Sequence, residues 1–235
     1  MKLPILVSVP HAGTMMPAEV ESLAHIAEND IVKDGDEQVT DIFLPLRDHV
    51  AHVVTTDIAR AFVDLNRAPD DLRKDGVIKT HTCWDVPIYD SPPDEELVAK
   101  LLNRYYYPYH EKLRALALAG DIRVGIDCHT MVSQGPPVGP DPGQLRPAAC
   151  VSDADGTCDR AWTEELASQL SQSLGGEVRI NDPFKGGYIT RTHAAELPWL
   201  QLEISRGDFA PVGEKATAVR TALGKWSKRV LSLAQ

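Results

Sequence analysis

Apolar residues occur along this chain in six short runs, each bounded by polar or turn residues. These runs predict β-strands at residues 5–9, 52–56, 123–126, 148–151, 177–180 and 199–204. Between them, apolar residues recur with helical spacing, which predicts helices at residues 17–27, 37–49, 94–119, 159–174 and 216–233. Strands that alternate with helices indicate an α/β fold, with a largely parallel or mixed sheet covered by helices on both faces.

The length of the chain indicates its number of domains, and its charge bears on its possible partners. Since α/β domains commonly reach about 200 residues or more, we expect a single domain over residues 1–235. The 34 acidic side chains outnumber the 24 Lys and Arg, which gives a net charge of -10, and the basic residues form no run. A nucleic acid partner is therefore not expected.

The sequence predicts neither a signal peptide nor a membrane-spanning segment. Its apolar opening is short and is broken by Pro4 and Pro10, and no later stretch has the length of a transmembrane helix. The four cysteines lack CxxC spacing and are too sparse for a disulfide framework. We therefore expect a cytoplasmic protein that has no membrane partner.

Two histidines follow predicted strands and are candidates for a metal site. His11 lies in a Pro-His-Ala-Gly turn after the first strand, and His129 follows the strand at residues 123–126. Asp127 lies two residues before His129, so both side chains point to the same side of an extended chain. An imidazole and a carboxylate placed in this way suit a metal ligand with its supporting partner, or an acid/base pair. Hydrogen-bonded loop histidines are the alternative interpretation.

A hydrolytic zinc site usually has three protein ligands and one open position. Asp36 and Glu37 are the candidates for the third ligand. They lie at the start of a predicted helix, where acidic side chains are also favoured by capping and by the helix dipole.

Arg60, Asn66 and Arg67 flank a short apolar run that we interpret as a strand. Because guanidinium groups bind carboxylates through two parallel hydrogen bonds, these residues indicate an acidic substrate. Surface ion pairing is the alternative. Arg191 and His193 are two further candidates for the substrate pocket.

Glu203 lies inside the otherwise apolar strand at residues 199–204. A carboxylate is costly there unless it has a partner or a chemical role. Desolvation would raise its pKa toward the range of a general base that acts on an attacking water. An ion pair with Arg206 or a lysine at the sheet edge is the alternative.

Two other segments stand out. Residues 133–147 contain five prolines and directly follow the His129 region, so we expect a stiff loop over or beside the site. Residues 105–110 combine four tyrosines with a proline and His110, and we interpret them as packing at a helix kink.

Five motifs in this order resemble the N-formylglutamate amidohydrolase family. They are Ser-Val-Pro-His-Ala-Gly at 8–13, Val-Asp-Leu-Asn-Arg at 63–67, Asp-Cys-His-Thr-Met at 127–131, Pro-Phe-Lys-Gly-Gly at 183–187 and Gln-Leu-Glu-Ile at 201–204. That family is similar in fold to the zinc carboxypeptidases and the succinylglutamate desuccinylases. The resemblance therefore implies a three-layer α/β/α sandwich of the phosphorylase/hydrolase type.

The resemblance also implies roles for individual residues. His11 and His129 match zinc ligands, Asp36 the acidic third ligand, and Glu203 the general base. Arg60, Asn66 and Arg67 match a clamp for the substrate carboxylate. The chain departs from the carboxypeptidases in lacking their HxxE motif, since Thr14 stands three residues after His11.

The expected activity is that of a zinc-dependent amidohydrolase acting on linear amides. Its substrate would be a small N-formyl or N-acyl acidic amino acid resembling N-formylglutamate. We expect one zinc ion, with other divalent metals as alternatives. A carboxypeptidase-like metallopeptidase and a non-catalytic binder of acidic metabolites are the alternative functions.

Overall fold

The computed structural model describes residues 2–231. Within this range six strands form one sheet in the order β2-β1-β3-β6-β4-β5. The strands are β1 (Leu3–Val9), β2 (Val50–Thr55), β3 (Val124–Met131), β4 (Ala149–Ser152), β5 (Val178–Ile180) and β6 (Trp199–Ser205). Strands β2, β1, β3 and β6 run parallel, whereas β4 and β5 run in the opposite direction. The predicted strands are therefore confirmed, as is the mixed and mostly parallel sheet.

Helices connect the strands and cover the sheet. They are α1 (Glu28–Asp34), α2 (Val39–Phe43), α3 (Glu95–Leu101), α4 (Tyr107–Ala117), α5 (Arg160–Leu174), α6 (Tyr188–His193) and α7 (Val212–Val230). A π-helical turn, Leu102–Tyr106, joins α3 to α4. The helices predicted at 94–119 and 159–174 are confirmed, and so is the described part of the helix at 216–233. Residues 232 and 233 lie outside the described range.

The alternation of side chains along the strands creates two apolar layers. On β1, Ile5 and Val7 belong to one core, which also contains residues of α2, α5 and α7. Leu6 points to the other face and packs in a second core with residues of α3 and α4. Successive side chains of a strand point to opposite faces, and here both faces are buried. The chain therefore has the predicted α/β architecture, with helices on both sides of the sheet.

Two local predictions were wrong. The predicted helix at 17–27 contains only a 3-10 turn, Ala18–Val20. Its second half is extended, because the backbone N–H of His25 donates to the carbonyl of Ile88. The segment between Arg60 and Arg67, predicted as a short strand, instead forms a series of turns in the connection that follows β2. Tertiary contacts override local spacing in both segments.

Sequence reasoning also missed α6, which is six residues long and too short for a helical period to be recognised. Within residues 2–231, no helix combines the length and the apolar character that a membrane span requires.

Candidate metal centre

A cavity of about 630 Å³ opens where β1, β3 and β6 end at the same edge of the sheet. Ligands of open α/β sheets commonly bind at this carboxyl edge, where loops from separate strands converge. His11 follows β1, His129 lies near the end of β3, and Glu203 lies near the end of β6. All three line the cavity.

Three side-chain atoms converge in the floor of this cavity. The Nδ1 atoms of His11 and His129 lie 3.1 Å apart, and they lie 3.3 and 3.0 Å from the same Oδ2 atom of Asp36. All three residues are buried. The structure thus brings the three predicted ligand residues together into a group that can hold a metal ion.

The far nitrogens of the two imidazoles bind other carboxylates. His11 Nε2 lies 2.9 Å from Asp64 Oδ1, and His129 Nε2 lies 2.8 Å from Asp127 Oδ2. With a cation at the two Nδ1 atoms, each imidazole would keep its one proton on Nε2 and donate it to this carboxylate, because a carboxylate accepts hydrogen bonds. The two Nδ1 lone pairs then face each other and the Asp36 oxygen, an arrangement that a cation would stabilise.

The donor set fits a zinc ion. Zinc–ligand distances of about 2.0–2.2 Å place the ligand atoms of a tetrahedral site about 3.4 Å apart. The three donor atoms lie 3.0–3.3 Å apart. A carboxylate or backbone group also supports the second nitrogen of most metal-binding histidines, as Asp64 and Asp127 do here.

The electrostatics of the group also favour a cation. Burial opposes ionisation of Asp36, but His11 and His129 outweigh burial and hold the pKa of Asp36 well below its usual range. Burial likewise disfavours the charged form of His129, but Asp127 and Asp36 raise its pKa well above the usual value. The pocket therefore stabilises positive charge at this point, and a metal ion would supply it in place of a proton.

Asp36 reaches the group because of the turn between α1 and α2. Its backbone N–H donates to the carbonyl of His11 at 3.4 Å, and the backbone N–H of Thr130 donates to its Oδ2 at 3.3 Å. Glu37, the other candidate, instead pairs with Arg206 at 3.0 Å. Asp36 is thus the acidic residue beside the two histidines.

Glu203 is the neighbour of His129 across β3 and β6, so the two side chains point to the same side of the sheet. The amide of Gln201 donates to its Oε1 atom at 2.7 Å. Burial raises the pKa of Glu203, and the positive charge of His129 opposes this only in part. Arg206, which could have formed an ion pair with Glu203, binds Glu37 instead.

Asn66 lies behind the histidines, with both ends of its amide engaged within the protein. Its nitrogen lies 3.0 Å from Asp127 Oδ2 and 3.1 Å from His129 Nε2, and its oxygen accepts the backbone N–H of Ile189 at 2.8 Å. A Cβ atom on Gly187 would lie 2.3 Å from the Asn66 nitrogen, so only glycine allows this approach. Asn66 borders the cavity, and its contacts help to orient Asp127, the carboxylate that binds His129 Nε2.

Arg60 and Arg67 border the cavity on the side of the turn that follows β2. Arg60 Nε donates to Asp64 at 3.0 Å, and Arg67 donates to the carbonyl and carboxylate of Asp75 at 3.1 and 3.3 Å. These contacts hold both guanidinium groups in place beside the group formed by His11, Asp36 and His129.

The structure does not bring Arg191 and His193 to the cavity, contrary to their prediction as pocket residues. Arg191 is exposed and donates to the carbonyls of Lys185 and Gly186, which fixes the preceding glycine turn. His193 is buried under α4, where it binds His110 at 2.9 Å. The turn of α6 points both side chains away from the strand ends.

Sequence reasoning missed three supporting residues: Asp64, Gln201 and Lys79. Asp64 occurs in the Val-Asp-Leu-Asn-Arg motif, so the sequence places it near other candidate residues. Only the tertiary structure reveals its contact with His11. Lys79 is completely buried and binds Asp34 at 2.9 Å, beside the Asp36 turn. Burial opposes ionisation of Asp34, but Lys79 outweighs it and lowers the pKa of the carboxyl. No local pattern marks Lys79.

Residues of the proline-rich segment 133–147, among them Pro136 and Pro140, line the cavity, which confirms the predicted position of this loop over or beside the site. The backbone N–H of Val138 donates to the carbonyl of Cys83 at 3.3 Å, so the loop meets the segment opposite. Arg146 binds Asp141 through two hydrogen bonds of 2.8 and 2.6 Å, which brace the loop from within.

Comparison with known proteins identifies similar chains. The family model described as N-formylglutamate amidohydrolase matches residues 3–209. A protein named N-formylglutamate deformylase from Pseudomonas putida is 26% identical over 230 residues, covering 92% of this chain and 85% of the relative. A second protein with that name, from Pseudomonas aeruginosa PAO1, is 25% identical over 252 residues and covers 98% and 94%.

Two solved structures share the fold. The crystal structure of N-formylglutamate amidohydrolase from Ralstonia eutropha JMP134 has a TM-score of 0.76 at 24% identity, covering 99% of this chain and 94% of the other. The structure of gene product Atu2144 from Agrobacterium tumefaciens has a TM-score of 0.74 at 20% identity, with coverage of 100% and 91%. Both support the chain topology described above.

Proposed function

The chain belongs to the N-formylglutamate amidohydrolase family, and we propose that it hydrolyses the amide bond of an N-formyl or N-acyl acidic amino acid. The observation that carries this proposal is the convergence of His11, Asp36 and His129 beside Glu203 at the edge of a cavity. N-formylglutamate is the leading substrate, because two relatives are named N-formylglutamate deformylases.

We propose zinc as the metal, since two imidazole nitrogens and one carboxylate form a common catalytic zinc site with an open position. Zinc bound there would lower the pKa of water and polarise the acyl oxygen. Asp64 and Asp127 keep the two Nδ1 atoms free of protons, so that both remain ligands.

Glu203 is the proposed general base. Its carboxylate accepts a proton from the attacking water and transfers that proton to the leaving amine nitrogen. Its raised pKa suits this exchange, because a base with a very low pKa takes up a proton poorly. Gln201 holds the carboxylate in position through the hydrogen bond to Oε1.

Arg60 and Arg67 are the proposed partners of the substrate carboxylates. Both guanidinium groups lie beside the cavity and are held by buried or half-buried aspartates. Positive charge in this position favours an acidic amino acid over a neutral one.

A hydrolysis screen tests the proposed function directly. Purified protein is assayed with N-formyl, N-acetyl and N-succinyl glutamate, with and without added zinc, and with N-formylleucine as the neutral control. We expect release of glutamate, dependence on zinc and poor turnover of the neutral control. Peptides ending in glutamate are included as well, and turnover of these peptides alone would instead favour a metallopeptidase. Zinc binding without turnover of any compound would favour a binding protein.

A further inference from the structure

Helix α4 places a tyrosine, Tyr109, behind the group formed by His11, Asp36 and His129, on the side away from the cavity. The hydroxyl of Tyr109 lies 2.9 Å from Ser8 Oγ. Ser8 donates to Asp127 Oδ1 at 2.9 Å, and Asp127 Oδ2 accepts from His129 Nε2 at 2.8 Å. All four residues are buried. A continuous line of hydrogen bonds therefore connects α4 to a metal-binding imidazole.

The direction of each bond follows from the available protons. Ser8 has one hydroxyl proton, and the Asp127 carboxylate can only accept, so that proton lies between them. Ser8 Oγ must then accept a hydrogen bond from the Tyr109 hydroxyl. Burial raises the pKa of Tyr109, so its hydroxyl remains a donor. The carbonyl of Val54 lies at the longer distance of 3.4 Å and is the weaker acceptor for this proton.

We propose that Tyr109 and Ser8 are positioning residues of the metal centre, which fix the Asp127 carboxylate and thereby the ring orientation and the Nε2 proton of His129. The inference rests on the proposed function only in that His11, Asp36 and His129 bind zinc. It gives the tyrosine-rich segment 105–110 a specific role in addition to the packing that its sequence predicts.

The arrangement around Asp127 explains why the hydroxyl matters. His129 and Asn66 both donate to Oδ2, whereas Ser8 donates to Oδ1. Ser8 therefore opposes rotation of the carboxylate toward the other two donors. Aligned hydrogen bonds also polarise one another, by about 10–30% per bond. Loss of the Tyr109 hydroxyl weakens the Ser8 bond in turn.

A double-mutant cycle on zinc affinity tests the proposal. The zinc dissociation constants of the wild type, Ser8→Ala, Tyr109→Phe and the double variant are measured by competition with a colorimetric chelator. We expect Ser8→Ala to weaken binding by about 10–100-fold, the range for supporting partners of metal ligands. Tyr109→Phe should have a smaller effect, of about 3–10-fold, that disappears in the Ser8→Ala background.

Tyr105→Phe is the matched control, since it removes a hydroxyl from the same helical segment. That hydroxyl donates to Glu19 at 2.9 Å, on the half-exposed side of the segment. Its zinc affinity should equal that of the wild type. Melting temperatures are measured on every variant, because a purely structural role for Tyr109 would lower stability and leave zinc affinity unchanged.

The outcomes separate this inference from the proposed function. Unchanged affinity in Tyr109→Phe, or equal effects of that change in both backgrounds, would overturn the positioning role while the wild-type protein still binds zinc. A wild-type protein that takes up no zinc would overturn both proposals together.

Discussion

Two histidine pairs of this chain differ in geometry, and their contrast separates a candidate metal centre from a structural network. One pair is His11 and His129, and the other is His110 and His193. Each pair has an adjacent carboxylate and an adjacent arginine. In the first pair, both Nδ1 atoms converge on one Asp36 oxygen. In the second, the rings stack with centroids 5.2 Å apart and form a linear chain.

The second pair uses its nitrogens along that chain. His110 Nε2 lies 3.0 Å from the carbonyl of Leu65, its Nδ1 lies 2.9 Å from His193 Nε2, and His193 Nδ1 lies 3.0 Å from Glu196. Because each nitrogen faces a different partner, no point is shared by several lone pairs. The candidate metal centre therefore differs from the second pair in the convergence of its nitrogens beside a cavity, and not in residue type.

The largest expected effect is on metal content. His129→Ala should reduce bound zinc from about one ion per chain to nearly none, since it removes one of three ligands. His193→Ala, the matched change in the linear pair, should retain zinc. Metal analysis of both purified variants measures this. Equal zinc loss in the two would contradict the distinction between the pairs.

The carboxylates beside the two pairs should differ in their effect on turnover. Glu203→Gln keeps the side-chain volume but cannot accept a proton, so we expect a loss of about 10²–10⁴-fold in kcat with zinc retained. Glu196→Gln should leave kcat near that of the wild type. Initial rates, zinc content and melting temperature are measured together.

The same measurements distinguish the alternatives for Glu203. Loss of zinc would make it a ligand, and loss of stability with normal turnover would make it a structural partner. Near-normal turnover with zinc bound would end the proposed mechanism.

The arginines give a smaller effect, on substrate binding. Arg67→Ala should lower kcat/KM for an acidic substrate by about 10–100-fold, because charge-assisted hydrogen bonds contribute about 1.5–3 kcal/mol. Arg67→Lys should also be poor, since an ammonium lacks the planar fork. Arg114, which binds Glu196 at 3.0 Å beside the linear pair, supplies the control. Arg114→Ala should not change the kinetics, and equal effects of both alanine variants would argue against a substrate clamp.

A further expected effect concerns pH and the linear pair. Burial lowers the pKa of His110 to about 4, below its ordinary value of 6.5. Between these values the unfolded chain binds a proton that the folded chain does not, so the free energy of unfolding rises with pH. His110→Gln keeps a donor and an acceptor without this titration. The free energy of unfolding of this variant should therefore rise less across the pH window than that of the wild type, by up to about 3 kcal/mol.

Chemical unfolding of the wild type and of His110→Gln over this pH window measures the difference. Burial also lowers the pKa of His193, which adds a contribution of the same sign. Parallel stability profiles for the two proteins would show that His110 does not titrate as described.

Sequence patterns anticipated much of the fold and part of the candidate site. Apolar runs located the strands, and the polar residues that followed them pointed to His11, His129 and Glu203 at one sheet edge. The prediction failed where spacing was ambiguous, as in the segment at 17–27, where pairing with residues near Ile88 replaced a helix. It also failed for Arg191 and His193, since the orientation of a six-residue helix is set by its packing.

The sequence by itself determined the order of strands and helices, because that order depends on patterns within about ten consecutive residues. Only the tertiary structure decided which histidines converge. His11 lies 118 residues from His129 and 25 from Asp36, whereas His110 and His193 are 83 residues apart. Nothing in these separations distinguishes the two pairs. The difference arises because parallel strands bring their ends to one edge, where side chains face a cavity, whereas α4 and α6 pack His110 and His193 against each other.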